Sequence, residues 1–237
     1  MHVRFWAGPG GAGAPTVVLL HGIVSSRYLV PTARELARSC RVMAPDLPGF
    51  GRTPATGPPL SVPEAADLVA AWMAASGLEG STVAGHSVGA QVAADLAVRH
   101  ADLVSHIVLA GPTADQGARS VIVQLGRWFA NAPTEPPAFN ALATYEVAEI
   151  GPARMLASIR LAVDDAIEDK LPDIGWPVLL VRGERDRVAP QRWLEELQGR
   201  RPGSRVAVLA EAAYTVVYSH PVEHARLVLD HVAGRAD

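Results

Sequence analysis

Short apolar, β-branched runs alternate along this chain with segments whose apolar residues recur every three or four positions. The runs at 2–6, 16–20, 40–45, 81–85, 106–110, 178–181 and 205–210 predict strands. Most are apolar throughout, as strands covered on both faces must be. Segments 32–39, 62–76, 88–100, 190–198 and 221–232 predict helices. Ser61 and Glu64 form a capping-box pattern, and Pro63 fits a first turn, where its missing N–H costs nothing. The alternation predicts an α/β fold with a mostly parallel central sheet, because parallel neighbours need crossovers and those crossovers lay helices on the sheet faces. The Gly- and Pro-rich stretch 8–15 reads as a hairpin loop.

The rhythm breaks between 113 and 176, which holds helical patches and a Pro-rich break at 132–137 but no run that would join a sheet. About sixty residues without a strand are too many for a loop. They predict a helical cap inserted into a core made of 1–112 and 177–237; the alternative is a few crossover helices packed on the sheet.

Composition removes several classes of function. The chain has 237 residues, 49% hydrophobic and 19% charged, enough for one large core. Its net charge of -3 offers no basic surplus for a phosphate backbone, so nucleic acid is not an expected partner. With Cys40 as the only cysteine, no intramolecular disulfide or cysteine metal cage forms, and a reducing compartment is the default. The first residues lack an apolar stretch behind a basic start, and no apolar run approaches the roughly 20 residues needed to cross a bilayer. A cytoplasmic protein without membrane association follows as the expectation, and no metal or organic cofactor is implied. The eight histidines are scattered, and nothing speaks to oligomeric state.

Against this background Gly85-His86-Ser87-Val88-Gly89 stands out. The pentapeptide alone is weak. Following a predicted strand and opening a predicted helix, it forces a serine into a strained turn with its hydroxyl exposed at the carboxyl end of a sheet. His21-Gly22 ends another strand, and the loop after it would bring the backbone N–H of Ile23 near that serine. With the N–H of Val88 at the helix start, it makes a candidate oxyanion hole. His21 itself reads as a loop residue.

Taken in order, these segments resemble the α/β-hydrolase superfamily, and the resemblance spans nearly the whole chain. Leu20-His21-Gly22 is similar to the family's oxyanion loop, Asp46-Leu47-Pro48-Gly49-Phe50-Gly51 to its Asp-x-Pro-Gly-x-Gly turn, and Gly85 to Gly89 to its nucleophile elbow. Gly183-Glu184-Arg185-Asp186 is similar to the turn that carries the triad acid. The resemblance implies a cap-bearing, serine-nucleophile enzyme of esterase or thioesterase type. Ser87 would be the nucleophile and Asp186 the acid, with Asp115, after strand 106–110, as the other candidate acid.

The family's histidine lies seven residues before the proline that opens the last helix. Counting back from Pro221 reaches Tyr214. A histidine with pKa near 6.5 takes a serine proton at pH 7, whereas a phenol near 10 does not. Four readings stay open: His220 is recruited as base; the phenol donates a hydrogen bond or proton in a repurposed cyclase or C–C lyase; tyrosine has replaced the base of an ordinary hydrolase; or the protein binds a ligand without turnover. His224 and His86 are weaker candidates. Trp128, Phe129, Phe139, Tyr145 and Met155 read either as the lining of an apolar pocket or as cap core. The expected substrate is a mostly apolar small molecule with an ester, thioester or ketone group.

Overall fold

The computed structural model describes residues 1–9 and 13–235. Seven strands, β1 (Val3–Trp6), β2 (Thr16–Leu20), β3 (Arg41–Pro45), β4 (Ser81–His86), β5 (Val104–Ala110), β6 (Val178–Gly183) and β7 (Arg205–Leu209), form one sheet in the order β1-β3-β2-β4-β5-β6-β7. Every pair is parallel except β1 with β3. Strands β2, β4 and β6 are buried at every residue, because helices cover both faces of the sheet. Helices α1 (Val30–Leu36), α2 (Val62–Ala75), α3 (Val88–Arg99), α8 (Gln191–Arg200) and α10 (Pro221–Val232) match the predicted segments to within two or three residues at each end. Helix α2 carries the expected capping box, with Ser61 and Glu64 bonded reciprocally.

The strand order places the site. From β2 the chain crosses one way to β3 and then back to β4 on the other side, so β2 and β4 flank the point where the winding reverses. Loops leaving the carboxyl ends of such a pair diverge and leave a crevice. The register Leu20↔Gly85 brings the loop after His21 level with Ser87.

Between β5 and β6 the described residues hold no strand. They form α4 (Val121–Asn131), α5 (Pro137–Ile150), α6 (Pro152–Asp164) and α7 (Ile167–Lys170). Helices α4, α5 and α6 pack on one another, whereas α7 packs against α3 and α8 in the layer flanking the sheet. Two expectations need correction. Stretch 8–15 is not a hairpin, since β1 pairs with β3 through Val3↔Pro45 to Trp6↔Val42; its residues 10–12 lie outside the described residues. A short helix, α9 (Val216–Ser219), also follows Tyr214 where no element was predicted. No described helix is long and apolar enough to cross a membrane.

Candidate active site

Ser87 sits between β4 and α3 at φ 60° and ψ -127°, a conformation that costs a non-glycine residue roughly 1–3 kcal/mol. Close packing around the turn explains its glycines: a Cβ on Gly85 would stand 2.0 Å from the carbonyl oxygen of Gly89, and one on Gly89 2.3 Å from that of Leu20. Gly22 comes equally near, since a Cβ there would lie 3.1 Å from Oγ of Ser87. Val88 is the first residue of α3, so its N–H has no carbonyl partner within the helix. Ile23 and Val88 both line the cavity of about 70 Å³ beside Ser87, along with Tyr214.

Tyr214 is buried, and burial drives its pKa well above the ordinary phenol value, although a hydrogen-bonding contact with the Ser87 side chain acts the other way. The phenol is therefore neutral at any physiological pH; it is no standing base, and its hydroxyl can accept a hydrogen only as it gives up its own. Behind it runs a chain of bonds. Gly22 N–H donates to Oη of Tyr28 at 2.8 Å, and Tyr28 Oη lies 2.9 Å from Nδ1 of His86. The Tyr214 carbonyl can only accept, so in the neutral imidazole the proton sits on Nε2 and Nδ1 accepts the Tyr28 hydrogen. Nε2 donates to the carbonyl of Tyr214 at 3.2 Å. Burial lowers the pKa of His86 to about 4, which keeps it neutral. His86 thus ties the loop after β2 to the Tyr214 loop with both ring nitrogens occupied.

Asp186 follows β6 as the motif implies, and Oδ1 accepts from the N–H groups of Val188 at 2.7 Å and Ala189 at 2.9 Å. Oδ2 is buried and has no hydrogen-bond partner among the described residues. Burial pushes the pKa of Asp186 up to about 7, against the two N–H bonds and nearby Arg182; Glu135 adds to the rise. An imidazole at 214 would offer a third N–H to such a carboxylate. The Tyr214 ring has no N–H to give.

The other candidates separate. His220 caps α10 and bonds Oγ of Ser219 at 2.9 Å; it does not line the cavity at Ser87, so the recruitment reading loses its geometric basis. His224 is buried with neither ring nitrogen bonded, and burial lowers its pKa to about 3. His21 uses both nitrogens on the loop, toward Gly22 O at 2.7 Å and Leu47 N–H at 2.9 Å. Asp115 is taken up by Arg127 at 2.5 Å and Arg192 at 3.6 Å.

Of the predicted lining residues Trp128 reaches the 70 Å³ cavity at Ser87, and Trp128 and Phe139 both line a smaller pocket of about 20 Å³ that also touches Ser87 and Tyr214. Met155 is core, and α6 lines the cavity instead through Ile159, Ala162 and Val163. Tyr145 is 53% exposed and bonds Glu149 at 2.7 Å. Phe129, 67% exposed, lines a separate cavity of about 470 Å³ on the far side of Trp128, between α4 and α5. Sequence reasoning missed Tyr28, Glu135 and Glu146, each of which has a partner far away along the chain: His86, Thr215 and Ser25.

A strained serine on a strand–turn–helix, facing the loop after β2 across the reversal of a doubly wound sheet, defines a class. The chain belongs to the alpha/beta hydrolase family, whose model matches residues 17–227, and it is an enzyme of that family. It is 30% identical, over 257 aligned positions, to the pimeloyl-[acyl-carrier protein] methyl ester esterase of Aromatoleum aromaticum, covering 93% of this chain and 99% of that relative. Among solved structures, a hydrolase from Pseudomonas aeruginosa PA01 superposes with a TM-score of 0.81 at 20% identity, covering 97% of this chain and 93% of the other. The enol-lactonase of Burkholderia xenovorans LB400 gives 0.77 at 20% identity, with 98% and 96% covered. At that identity both speak for the fold alone.

Proposed function

We propose that the protein holds a mostly apolar ester or thioester in the cavity at Ser87 and that Ser87 attacks its acyl carbon. The observation that carries this reading is the strained Ser87 hydroxyl in contact with a neutral phenol on the wall of an apolar cavity. The Aromatoleum relative is a methyl ester esterase, which supports the substrate class. In the first step the Ser87 Oγ–acyl bond forms and the bond to the leaving oxygen or sulfur breaks, while the N–H groups of Ile23 and Val88 hold the developing oxyanion. The serine proton passes to Oη of Tyr214 as the phenol's own hydrogen passes to the leaving atom. Tyr214 stays neutral, and water then repeats the exchange to release the acid. Without a base of matched pKa this turnover is slow. Residues 113–176 act as the cap of a core formed by 1–112 and 177–237.

The same phenol favours a second reading, in which Tyr214 donates to a substrate carbonyl in a cyclisation or C–C bond cleavage and Ser87 is only a hydrogen-bond partner. Intact-mass measurement after incubation with an activated ester and with a fluorophosphonate separates the two. An adduct on the unsubstituted chain that is absent from Ser87→Ala is expected. No adduct until Tyr214→His is made would transfer the assignment to the donor reading. Binding with no adduct on either would mark a ligand-binding protein.

Trp128 walls off the 470 Å³ cavity between α4 and α5. Trp128→Ala joins the two spaces, and the preferred acyl chain should lengthen. At about 0.8 kcal/mol per buried methylene, each added CH₂ improves kcat/KM by roughly fourfold until the joined space is full. A chain-length series from acetate to laurate esters checks this; an unshifted optimum contradicts it.

A further inference from the structure

We propose that Glu135 and Glu146, one at each end of a rigid strut, are positioning residues that set the oxyanion loop and the Tyr214 loop relative to one another; this rests on the reading of Ser87 above. The two carboxylates are 6% and 1% exposed. Each grips a hydroxyl residue of a different loop in the same way. Glu146, in α5, accepts the backbone N–H of Ser25 at 2.7 Å and also the Ser25 hydroxyl. Glu135, two residues before α5, accepts the backbone N–H of Thr215 at 2.9 Å and the Thr215 hydroxyl.

Ser25 lies two residues beyond Ile23, and Thr215 follows Tyr214 directly. The helix between the two carboxylates has a fixed rise, about 14 Å over nine residues, so α5 sets the separation of the two loops as a rod sets the separation of two clamps. Phe139 braces it midway, its ring 6.0 Å from that of Tyr28 and 5.5 Å from that of Tyr218. The grip extends to the acid. Asn131, fully buried, donates to Glu135 at 2.7 Å and accepts the N–H of Arg187, the residue after Asp186, at 3.2 Å.

A buried carboxylate that loses its donors retains its full desolvation cost, so these contacts resist being broken. Helix α5 therefore does not lift away as a lid. Instead it holds the donor N–H of Ile23 and the phenol of Tyr214 at a fixed spacing around Ser87, and an error near 1 Å there costs about 100-fold in rate.

The test measures the rate of Ser87 modification by a fluorophosphonate, equilibrium binding of an unreactive alkyl ether analogue, and melting temperature. Glu135→Ala and Glu146→Ala are expected to slow modification between about 10- and 100-fold with binding changed less than twofold. Glu135→Gln and Glu146→Gln, which still accept the N–H bonds, should recover most of the rate. Glu168→Ala serves as control: Glu168 is buried on α7 in an ion pair with Arg119, away from Ser87, and its loss should lower the melting temperature with the rate intact. If the alanine variants do not fold, Ser25→Ala and Thr215→Val remove the same bonds from the loop side.

Equal rate loss in Glu168→Ala, no rate loss in the Glu variants, or no recovery with glutamine overturns the proposal. Should the unsubstituted chain form no adduct, the reading of Ser87 fails separately, and the same rate ratios measured in a Tyr214→His background decide the positioning role.

Discussion

Tyr214→His is expected to raise ester hydrolysis through Ser87 by about a thousand-fold or more, because it supplies the one group the site lacks. Loss of a triad member costs on the order of a million-fold in turnover, and recovering part of that factor is the modest expectation for a site not shaped around the new ring. The surroundings favour the exchange. The Asp186 carboxylate has a buried oxygen without a partner, which the Nδ1–H of an imidazole would satisfy and so fix the tautomer that leaves Nε2 toward Ser87. The carbonyl of residue 214 is already held by His86 at 3.2 Å, a bond to the backbone that the substitution leaves in place. Steady-state hydrolysis of a short activated ester by the unsubstituted chain and by Tyr214→His measures the effect. A rate within tenfold of the original would show that the base is not limiting and would shift attention to the cavity or the oxyanion donors.

The second large effect is on stability, and its direction follows from Asp186. An unfolded aspartate titrates near 3.9, whereas in the folded chain burial holds Asp186 at about 7. The folded state then binds the proton more tightly than the unfolded state. Stability is highest below pH 4 as far as this group is concerned, and falls as pH rises from about 4 to 7, by about 4 kcal/mol in all. Arg182, which favours the charged form, and Glu135, which opposes it, are included in that balance. Asp186→Asn removes the titration while keeping an oxygen for the Val188 and Ala189 N–H groups. Its unfolding free energy should therefore pull ahead of the parent as pH rises from 5 to 8. Parallel denaturant titrations at several pH values check this; curves that stay parallel would contradict the burial argument. In Tyr214→His the same dependence should shrink, because a partner for the free oxygen brings the carboxyl back toward its ordinary range.

The strands were legible where burial on both faces demands a nearly unbroken apolar run, as at β2. Strand β6 was read two residues short because Arg182 suggests a surface. In the fold its guanidinium turns back onto the carbonyl oxygens of Ala189 at 3.1 Å and Asp186 at 2.9 Å. The elbow and the tyrosine at 214 were legible because each is a local pattern counted along the chain. The cap residues were not. Glu146 stands in a helical patch, and its partner Ser25 is 121 residues away; Glu135 and Thr215 are 80 apart. Nothing local distinguishes a buried, paired glutamate from an exposed one. For the same reason Tyr145 was read as pocket lining although it faces solvent, beneath the guanidinium of Arg27 at 5.6 Å.

The unpartnered oxygen of Asp186 also bears on heredity. Tyrosine and histidine codons differ only in their first base, so a single point mutation separates this gene from one encoding a complete Ser-His-Asp set. The acid, the elbow and the bracing of the loops are all in place to receive that change. Selection for ester cleavage therefore has a one-base route to histidine at this position. Growth under selection for ester hydrolysis, followed by sequencing of codon 214, turns that stereochemical gap into a count of revertants.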